Sequence, residues 1–413
     1  MHSTEALPLP PQPDVDQYRT FAKELLLAVK TGESERIEAW AHAWMTRLSE
    51  LSGADGEDPH RARGIARQAH EFAMYWTGER TVRNVPPPRA TLAHVQLIIA
   101  RLQGFASWAE LARHIDSLKR RDNDVARFEA AVDALVSGDI DTLRRALREH
   151  PELVRAHSGR AHHATLLHYV SANGVEGYRQ KTPANIVEIA KLLLAAGADV
   201  NASAHCYGEE DDTLSLTATS AHPANAGVMI PMLELLVAAG ADIHRTSNGW
   251  TNVRACLANG QPEAAAWLAD RGAEVGFSDA AGLGRLDRVR HYLAPNGALL
   301  NGATQQQLVA AWENATWYGR IDVARYFMDA GIDPNLANKR GATALHRAAF
   351  TGAVEVAELL IARGANVDAR ESEFDATPLD WAVHARSQGD RRDDREALDR
   401  TIALLRSKLP SPP

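Results

Sequence analysis

Four polar side chains of different chemistry lie close together in the segment VEGYRQKTPAN (residues 175–185). Glu176, Tyr178, Arg179 and Gln180 supply an acid, a phenol, a planar cation and an amide. Arginine binds a carboxylate or phosphate in a bidentate fork, and tyrosine and glutamine can orient the rest of a small polar molecule. A second interpretation is a self-contained loop in which Glu176 and Arg179 pair with each other and bind nothing. The sequence leaves both interpretations open.

A second polar segment, SAHCYGEEDDT (residues 203–213), contributes His205, Tyr207 and four acids. Glu176 or His205 has the side chain of a general base and Arg179 that of an anion binder, so these three are the candidate catalytic residues. A glycine-rich phosphate loop, a GxSxG elbow and a kinase signature are all absent from the sequence. Without such a motif, the sequence does not decide whether the chain is an enzyme.

Several histidines lie near these segments and raise the question of a metal site. His157, His162, His163 and His168 cluster in sequence, and Cys206 follows His205. Zinc sites need ligands at fixed spacing, and neither a CxxC nor an HxxxH pair occurs among these residues. We predict no metal and no cofactor.

The elements that would position these residues repeat along the chain. The segment GATALHRAAFTGAVEVAELLIARGANVDAR (residues 341–370) has a threonine start, an apolar helical pattern and a glycine ending. The same ending returns in LLLAAGADVNA (192–202), LLVAAGADIH (235–244), LADRGAEV (268–275) and MDAGIDPN (328–335). Each short helix has an apolar stripe that one repeat cannot bury, so neighbouring repeats must stack. The predicted unit is a helix, a loop, a second helix and a finger.

Residues 341–370 resemble a near-complete ankyrin repeat, in which Thr343-Ala344-Leu345-His346 stands for the TPLH start. The resemblance implies an all-α ankyrin-repeat solenoid over residues 127–409, with about eight repeats, several of them irregular. Residues 175–185 then form an insert between the helices of repeat two, and residues 203–213 form the finger of repeat three. Because consecutive repeats stack, the two segments could build one polar site.

The segment before the array has no repeat period and predicts separate helices. We expect a flexible segment at 1–16 and a helical cap domain at 17–121, with helices capped by Thr91 and Ser107. The run LAHVQLIIARLQGFASWAELARHI resembles a module that precedes ankyrin repeats in many bacterial proteins. The insert pattern LLHYVSANGVEGYRQKTP likewise resembles a pattern that recurs in a bacterial subfamily.

The resemblance also predicts which side chains face the concave groove of the array. For two irregular repeats we place the start of the inner helix at Thr213 and near residue 310. The middle repeats then present only small side chains to the groove, and the repeats on either side of them present large or polar ones. Aromatic residues and arginine are typical anchors of protein interfaces. The predicted groove residues are Tyr169, Asn173, Trp317, Tyr318, Arg347, Phe350 and Trp381.

Composition narrows the possible functions. The 413 residues are 45% hydrophobic with a net charge of -8, and the basic clusters at 119–121 and 391–392 are followed at once by aspartate, which argues against nucleic-acid binding. The sequence shows no secretion leader or membrane-spanning run, so we expect a cytoplasmic protein without membrane contact. The predicted function is recognition of a protein or peptide in the groove. The alternative is a protein that binds a small polar or anionic ligand, or an enzyme, with its site in the inserts of repeats two and three.

Overall fold

A computed structural model of the chain describes residues 14–51, 59–78, 89–120, 123–247, 249–388 and 395–409. The described residues are mostly helical, which confirms the predicted all-α class. Most of the predicted flexible segment lies outside these ranges, and the first helix already begins at Val15. The chain divides into two compact units, residues 1–250 and 251–413. This division does not coincide with the predicted boundary near residues 121–127, and the separate cap domain stays a prediction.

The first five helices pack around an aromatic core. The ring of Trp40 stacks on Trp44 and on Phe72, with centroids 5.1 and 5.9 Å apart. As predicted, the side chains of Thr91 and Ser107 accept hydrogen bonds from the first turns of the fourth and fifth helices. The helices are α1 (Val15–Thr31), α2 (Ser34–Leu51), α3 (Pro59–Thr77), α4 (Leu92–Leu102) and α5 (Trp108–Leu118).

The repeats of the first unit are irregular. The inner helix before the insert has only four residues, and part of the insert forms a 3-10 turn (Gly177–Arg179). The finger of repeat three is an antiparallel hairpin, in which Ala204 lies opposite Asp211, and the sequence analysis did not predict it. The predicted start at Thr213 is one residue late, because Asp212 is the N-cap. The elements are α6 (Asp124–Ser137), α7 (Ile140–Glu149), a 3-10 helix (Pro151–Arg155), α8 (Leu166–Tyr169), α9 (Ile186–Ala195), β1 (Ala204–Cys206), β2 (Glu209–Asp211), α10 (Thr213–Thr219), α11 (Ala221–Asn225), α12 (Met229–Ala238) and β3 (Thr246–Ser247).

The second unit is more regular. Its core includes Trp312 and Phe327, whose ring centroids lie 5.5 Å apart. The predicted helix start near residue 310 is wrong, because Thr304 caps a helix of 13 residues. The elements are β4 (Trp250–Thr251), which spans the division between the units, and α13 (Asn252–Ala258), α14 (Pro262–Asp270), α15 (Phe277–Leu283), α16 (Leu286–Tyr292), α17 (Gln305–Trp317), α18 (Ile321–Asp329), α19 (Ala344–Thr351), α20 (Val354–Ala362), α21 (Pro378–Gln388) and α22 (Arg395–Lys408).

A threonine and a histidine fasten the start of an inner helix to the finger that follows it. Thr343 Oγ1 lies 2.9 Å from His346 Nδ1, and His346 Nε2 lies 3.2 Å from the carbonyl oxygen of Ala376. His168 makes the same contact with the carbonyl oxygen of Ala202, at 3.1 Å. Both histidines therefore bind the backbone of the adjoining turn.

Candidate functional site

The acid and the arginine of the insert lie in the interior. The side chain of Glu176 is 0% exposed and that of Arg179 is 4% exposed. The Oε1 atom of Glu176 is in contact with Arg160 Nε and lies 3.4 Å from both His162 Nε2 and the Tyr169 hydroxyl. Several donors thus converge on one carboxylate oxygen.

Helix α6 supplies the second buried acid. Arg179 Nη1 lies 2.5 Å from Glu129 Oε2, and Arg160 Nη2 lies 3.4 Å from the same oxygen. Arg179 also donates from Nε and Nη2 to Asp133 Oδ1, at 3.1 and 2.7 Å. We call Glu129, Arg160, Glu176 and Arg179 the buried ionic cluster.

The two acids of this cluster are held in their charged forms. Burial alone would raise the pKa of Glu176, but Arg160, then His162 and Arg179, outweigh it and hold the pKa well below its usual range. Burial opposes ionisation of Glu129 in the same way, and Arg179 and Arg160 lower its pKa. Two carboxylates and two guanidinium groups therefore balance each other inside the protein.

These contacts bear on both sequence interpretations of the insert, which stay predictions. Arg179 is engaged by acids of α6, so an anionic ligand would have to displace internal partners. Glu176 and Arg179 lie 3.7 Å apart, yet each has a closer partner from another segment. Gln180 Nε2 donates to the carbonyl oxygen of Val175, at 2.8 Å, and the side chain of Tyr178 lies outside the described residues.

The other candidates around the insert divide between the interior and the surface. Tyr169, predicted at the groove, is fully buried, and its ring lies 6.4 Å from that of Phe128. His205 is exposed, and its Nδ1 lies 2.6 Å from Glu210 Oε1 in the hairpin β1–β2. The structure thus gathers Glu176, Arg179 and Tyr169 inside. The side chain of His205 is exposed, and its backbone N–H donates to the carbonyl oxygen of His162, at 2.7 Å.

Tyr207 joins the hairpin to the start of the insert. Its hydroxyl donates to Asn173 Oδ1 and accepts from the backbone N–H of Gly174, the latter at 3.3 Å. Asn173 in turn donates from Nδ2 to the carbonyl oxygen of Leu216, at 3.0 Å. Repeats two and three are therefore in contact, as predicted, but through Asn173 and Tyr207 rather than through Glu176 and Arg179.

The groove residues of the second unit do form a continuous group. Trp317 and Phe350 stack with centroids 5.3 Å apart and an angle of 21° between the ring planes, and Phe350 meets Trp381 edge to face at 6.0 Å. The guanidinium carbon of Arg347 lies 5.4 Å from the centre of the Trp317 ring and 5.5 Å from that of Trp381. All four side chains are partly exposed. We call these four residues the aromatic surface.

Two further residues define the edge of the aromatic surface. Glu313 Oε1 accepts from Arg347 Nη2 at 2.8 Å and from Nε at 3.2 Å, so the charge of Arg347 is paired. Tyr318, also predicted at the groove, donates its hydroxyl hydrogen to the carbonyl oxygen of Leu257 and so takes part in packing between inner helices. Of the predicted C-terminal group, Tyr318 alone stands apart from the ring stack.

The sequence patterns did not point to four charged residues of these sites, namely Glu129, Asp133, Arg160 and Glu313. Glu129 follows Phe128 in the apolar run FEAAVDALV, and an acid inside such a run is a detectable signal because it breaks a buried face. Glu313 lies in α17, one helical turn before the predicted groove residue Trp317. No such local signal marks Arg160, which lies in a loop.

Among the described residues, no group of three or more histidine, cysteine, aspartate or glutamate side chains is placed to hold a metal ion. Every helix in the same ranges is too short or too polar to cross a membrane.

Comparison with known proteins identifies the repeats. Residues 308–390 match the family model of ankyrin repeats (3 copies). The chain is 32% identical over 95 residues to palmitoyltransferase ZDHHC17 of Rattus norvegicus, covering 22% of this chain and 15% of that protein. It is 36% identical over 102 residues to the E3 ubiquitin-protein ligase hecd-1 of Caenorhabditis elegans, covering 25% of this chain and 4% of that protein. It is 38% identical over 69 residues to palmitoyltransferase Hip14 of Drosophila melanogaster, covering 17% of this chain and 11% of that protein.

These matches support the ankyrin architecture and the general role of such repeats in protein–protein interaction. The chain spans 15% or less of the length of these three relatives, all of them animal proteins. The resemblance to a bacterial subfamily and its N-terminal module stays a prediction.

Proposed function

We propose that the chain is a recognition protein that binds a protein or peptide partner through the aromatic surface. The observation that carries this proposal is the contiguity of Trp317, Arg347, Phe350 and Trp381, contributed by three successive inner helices. Tryptophan and arginine are enriched among the residues that dominate binding energy. Because these side chains are partly exposed and lie on one continuous face, a partner protein can contact all of them at once.

The aromatic surface is also preorganised. Arg347 is held between two tryptophan rings and by Glu313, so little side-chain entropy remains to be lost when a partner binds. Since its charge is already paired, the guanidinium offers its remaining N–H groups rather than a net charge. A partner segment with apolar side chains and backbone carbonyl groups fits this surface.

The proposal is tested with Arg347→Ala, Arg347→Lys and Trp381→Ala in the full chain. Affinity capture from an extract of the source cells, followed by mass spectrometry, measures which proteins each variant retains. We expect Ala at either position to remove the wild-type partner, because loss of an anchor costs about 2 kcal/mol or more in binding. Lys should weaken capture, because it keeps the charge and loses the planar stacking.

The chain offers a matched control. Trp267 and Arg271 form a similar pair on and beside α14, an outer helix, with the guanidinium carbon 3.7 Å from the ring centre. Trp267→Ala and Arg271→Ala should leave capture unchanged. Equal capture by all variants, with unchanged circular dichroism, would remove the aromatic surface from consideration.

The alternative function, a small-molecule site or enzyme in the inserts, receives less support. Glu176 and Arg179 are occupied by Arg160 and Glu129, and the exposed His205 pairs with Glu210. A polar or anionic ligand would therefore compete with charge pairs that are already complete.

A further inference from the structure

The hydroxyl of Tyr207 lies at the peptide bond that joins Asn173 to Gly174. It donates to Asn173 Oδ1 and accepts from the backbone N–H of Gly174, the latter at 3.3 Å. When an asparagine cyclises, the backbone nitrogen of the next residue attacks Cγ of the side-chain amide and closes a five-membered succinimide ring. One phenol therefore contacts both of the groups that would react at Asn173 and Gly174.

The amide of Asn173 is held in one orientation. Its Nδ2 donates to the carbonyl oxygen of Leu216 at 3.0 Å and to Thr219 Oγ1 at 3.1 Å, so Oδ1 faces Tyr207. Burial raises the pKa of the Tyr207 phenol, which therefore keeps its proton at neutral pH and donates it to Oδ1. A donor at this oxygen stabilises the negative charge that develops there when a nucleophile attacks Cγ.

The backbone is strained on both sides of this contact. Ala172 has a φ of 48° and Tyr207 a φ of 54°, in the left-handed region that residues of these two types rarely adopt. Strained residues of this kind persist where the surrounding structure holds them, and they cluster at functional sites. Here one of them directly precedes Asn173, and the other carries the hydroxyl.

The remaining requirements of the reaction are also met. Residue 174 is a glycine, so no side chain stands beside the attacking nitrogen. Asn173 is partly exposed and Tyr207 is 50% exposed, so solvent lies beside the ring that forms. Water, the reactant that opens a succinimide, is therefore at hand.

We propose that Tyr207 promotes the cyclisation of Asn173 onto the nitrogen of Gly174, and that water then opens the ring to aspartate or isoaspartate. The proton of Gly174 N–H passes to the Tyr207 oxygen while the Tyr207 proton passes to Asn173 Oδ1, and the nitrogen bonds to Cγ. The Cγ–Nδ2 bond then breaks, and Nδ2 leaves as ammonia with the proton that Oδ1 had taken up. The substrate is the chain's own amide, water is the co-reactant, and Tyr207 is unchanged at the end.

The product alters the contact between repeats two and three. An oxygen replaces Nδ2, which lies 3.0 Å from the carbonyl oxygen of Leu216, so two acceptors face each other and a negative charge is added. The contact of the hairpin β1–β2 with the insert is thereby weakened. This reaction is separate from partner binding at the aromatic surface.

Mass spectrometry of peptides from the full chain, incubated at neutral pH in water enriched in heavy oxygen, tests the proposal. We expect Asn173 to become an acid that carries the heavy oxygen. Tyr207→Phe removes only the hydroxyl and should slow this conversion about 100-fold, the lower end of the effect of a positioned proton-transfer group. The same dipeptide occurs at Asn296-Gly297 and Asn301-Gly302, and conversion at these two sites should be equal in the wild type and the variant.

A trap and a product variant give independent readouts. Hydroxylamine cleaves the chain at a succinimide, so the folded wild type should yield fragments 1–173 and 174–413, and Tyr207→Phe should yield far less of them. Asn173→Asp places a carboxylate at the contact directly. It should speed amide exchange at residues 204–211, as ageing of the wild type should.

Two results would overturn the proposal. One is a wild-type chain in which Asn173 keeps its amide while Asn296 and Asn301 convert, and this result does not depend on the folding of any variant. The other is a folded Tyr207→Phe chain, by circular dichroism, in which Asn173 converts at the wild-type rate or faster, because the hydroxyl would then protect the amide or have no role.

Discussion

Glu176 shows how much a single buried residue depends on its partners. Glu176→Gln keeps the shape and removes the charge that offsets Arg160, which is 1% exposed. Leaving a buried charge without its counterion typically costs about 3 to 5 kcal/mol. We expect a loss of this size in the free energy of unfolding, measured by urea denaturation at pH 7.

An exposed pair in the same repeat is the control. Lys191 Nζ lies 2.8 Å from Glu188 Oε1 on α9, and both side chains are more than half exposed. Glu188→Gln should cost at most about 1 kcal/mol, because solvent screens such pairs. Similar losses for the two variants would contradict the assignment of Glu176 to a buried cluster.

The sequence could identify Glu176 and Arg179 by their residue types but not by their contacts. Arg179 binds Glu129 across 50 positions of sequence, and Arg160 binds the same glutamate across 31. Such contacts depend on how irregular repeats stack, and the spacing of residues does not encode that. Residue types alone could not show that both side chains lie in the interior.

At the scale of elements, helix starts marked by a local sequence signal were predicted correctly, whereas the elements of irregular repeats were not. Thr91 and Ser107 were recognised as caps because the side chain and the helix start lie within one turn. The start of α17 was missed because the ankyrin pattern places it near residue 310, whereas the helix begins after Thr304 with a capping box to Gln307. The hairpin β1–β2 was missed because the finger of a regular ankyrin repeat gave no reason to expect strands.

The contact between the insert and this hairpin requires a glycine. Gly174 has a φ of 71°, and a Cβ atom there would lie 2.6 Å from Cys206 Sγ and 2.9 Å from Cys206 Cβ. Gly174→Ala should therefore combine left-handed strain of about 1 to 2 kcal/mol with a steric clash that displaces the hairpin. Urea denaturation and amide exchange at residues 204–211 measure the two effects.

Gly197 is the matched control for Gly174. Its φ is 95°, and nothing lies within 4 Å of a Cβ atom built there. Gly197→Ala should cost only the backbone strain and leave exchange in the hairpin unchanged. An equal effect of the two substitutions on the hairpin would mean that the close approach of Gly174 and Cys206 is not needed.

For the molecule as a whole, buried histidines predict loss of stability in acid. Burial lowers the pKa of both His114 and His168 from 6.5 to about 4. Between these values the unfolded chain binds more protons than the folded chain, so stability is complete above pH 6.5 and falls as the pH drops toward 4. Each residue should account for a loss of roughly 2 to 3 kcal/mol over that range.

The measurement is the free energy of unfolding in urea at several pH values between 7 and 4.5. His168→Asn lowers stability at every pH because it removes the contact with Ala202, but its pH dependence should be shallower than that of the wild type. The prediction concerns the slope of the free energy of unfolding against pH and not its absolute value. Only a group that titrates differently in the folded and unfolded chain can change this slope. An unchanged slope in His168→Asn would mean that His168 takes up its proton equally in both states, against the burial described here.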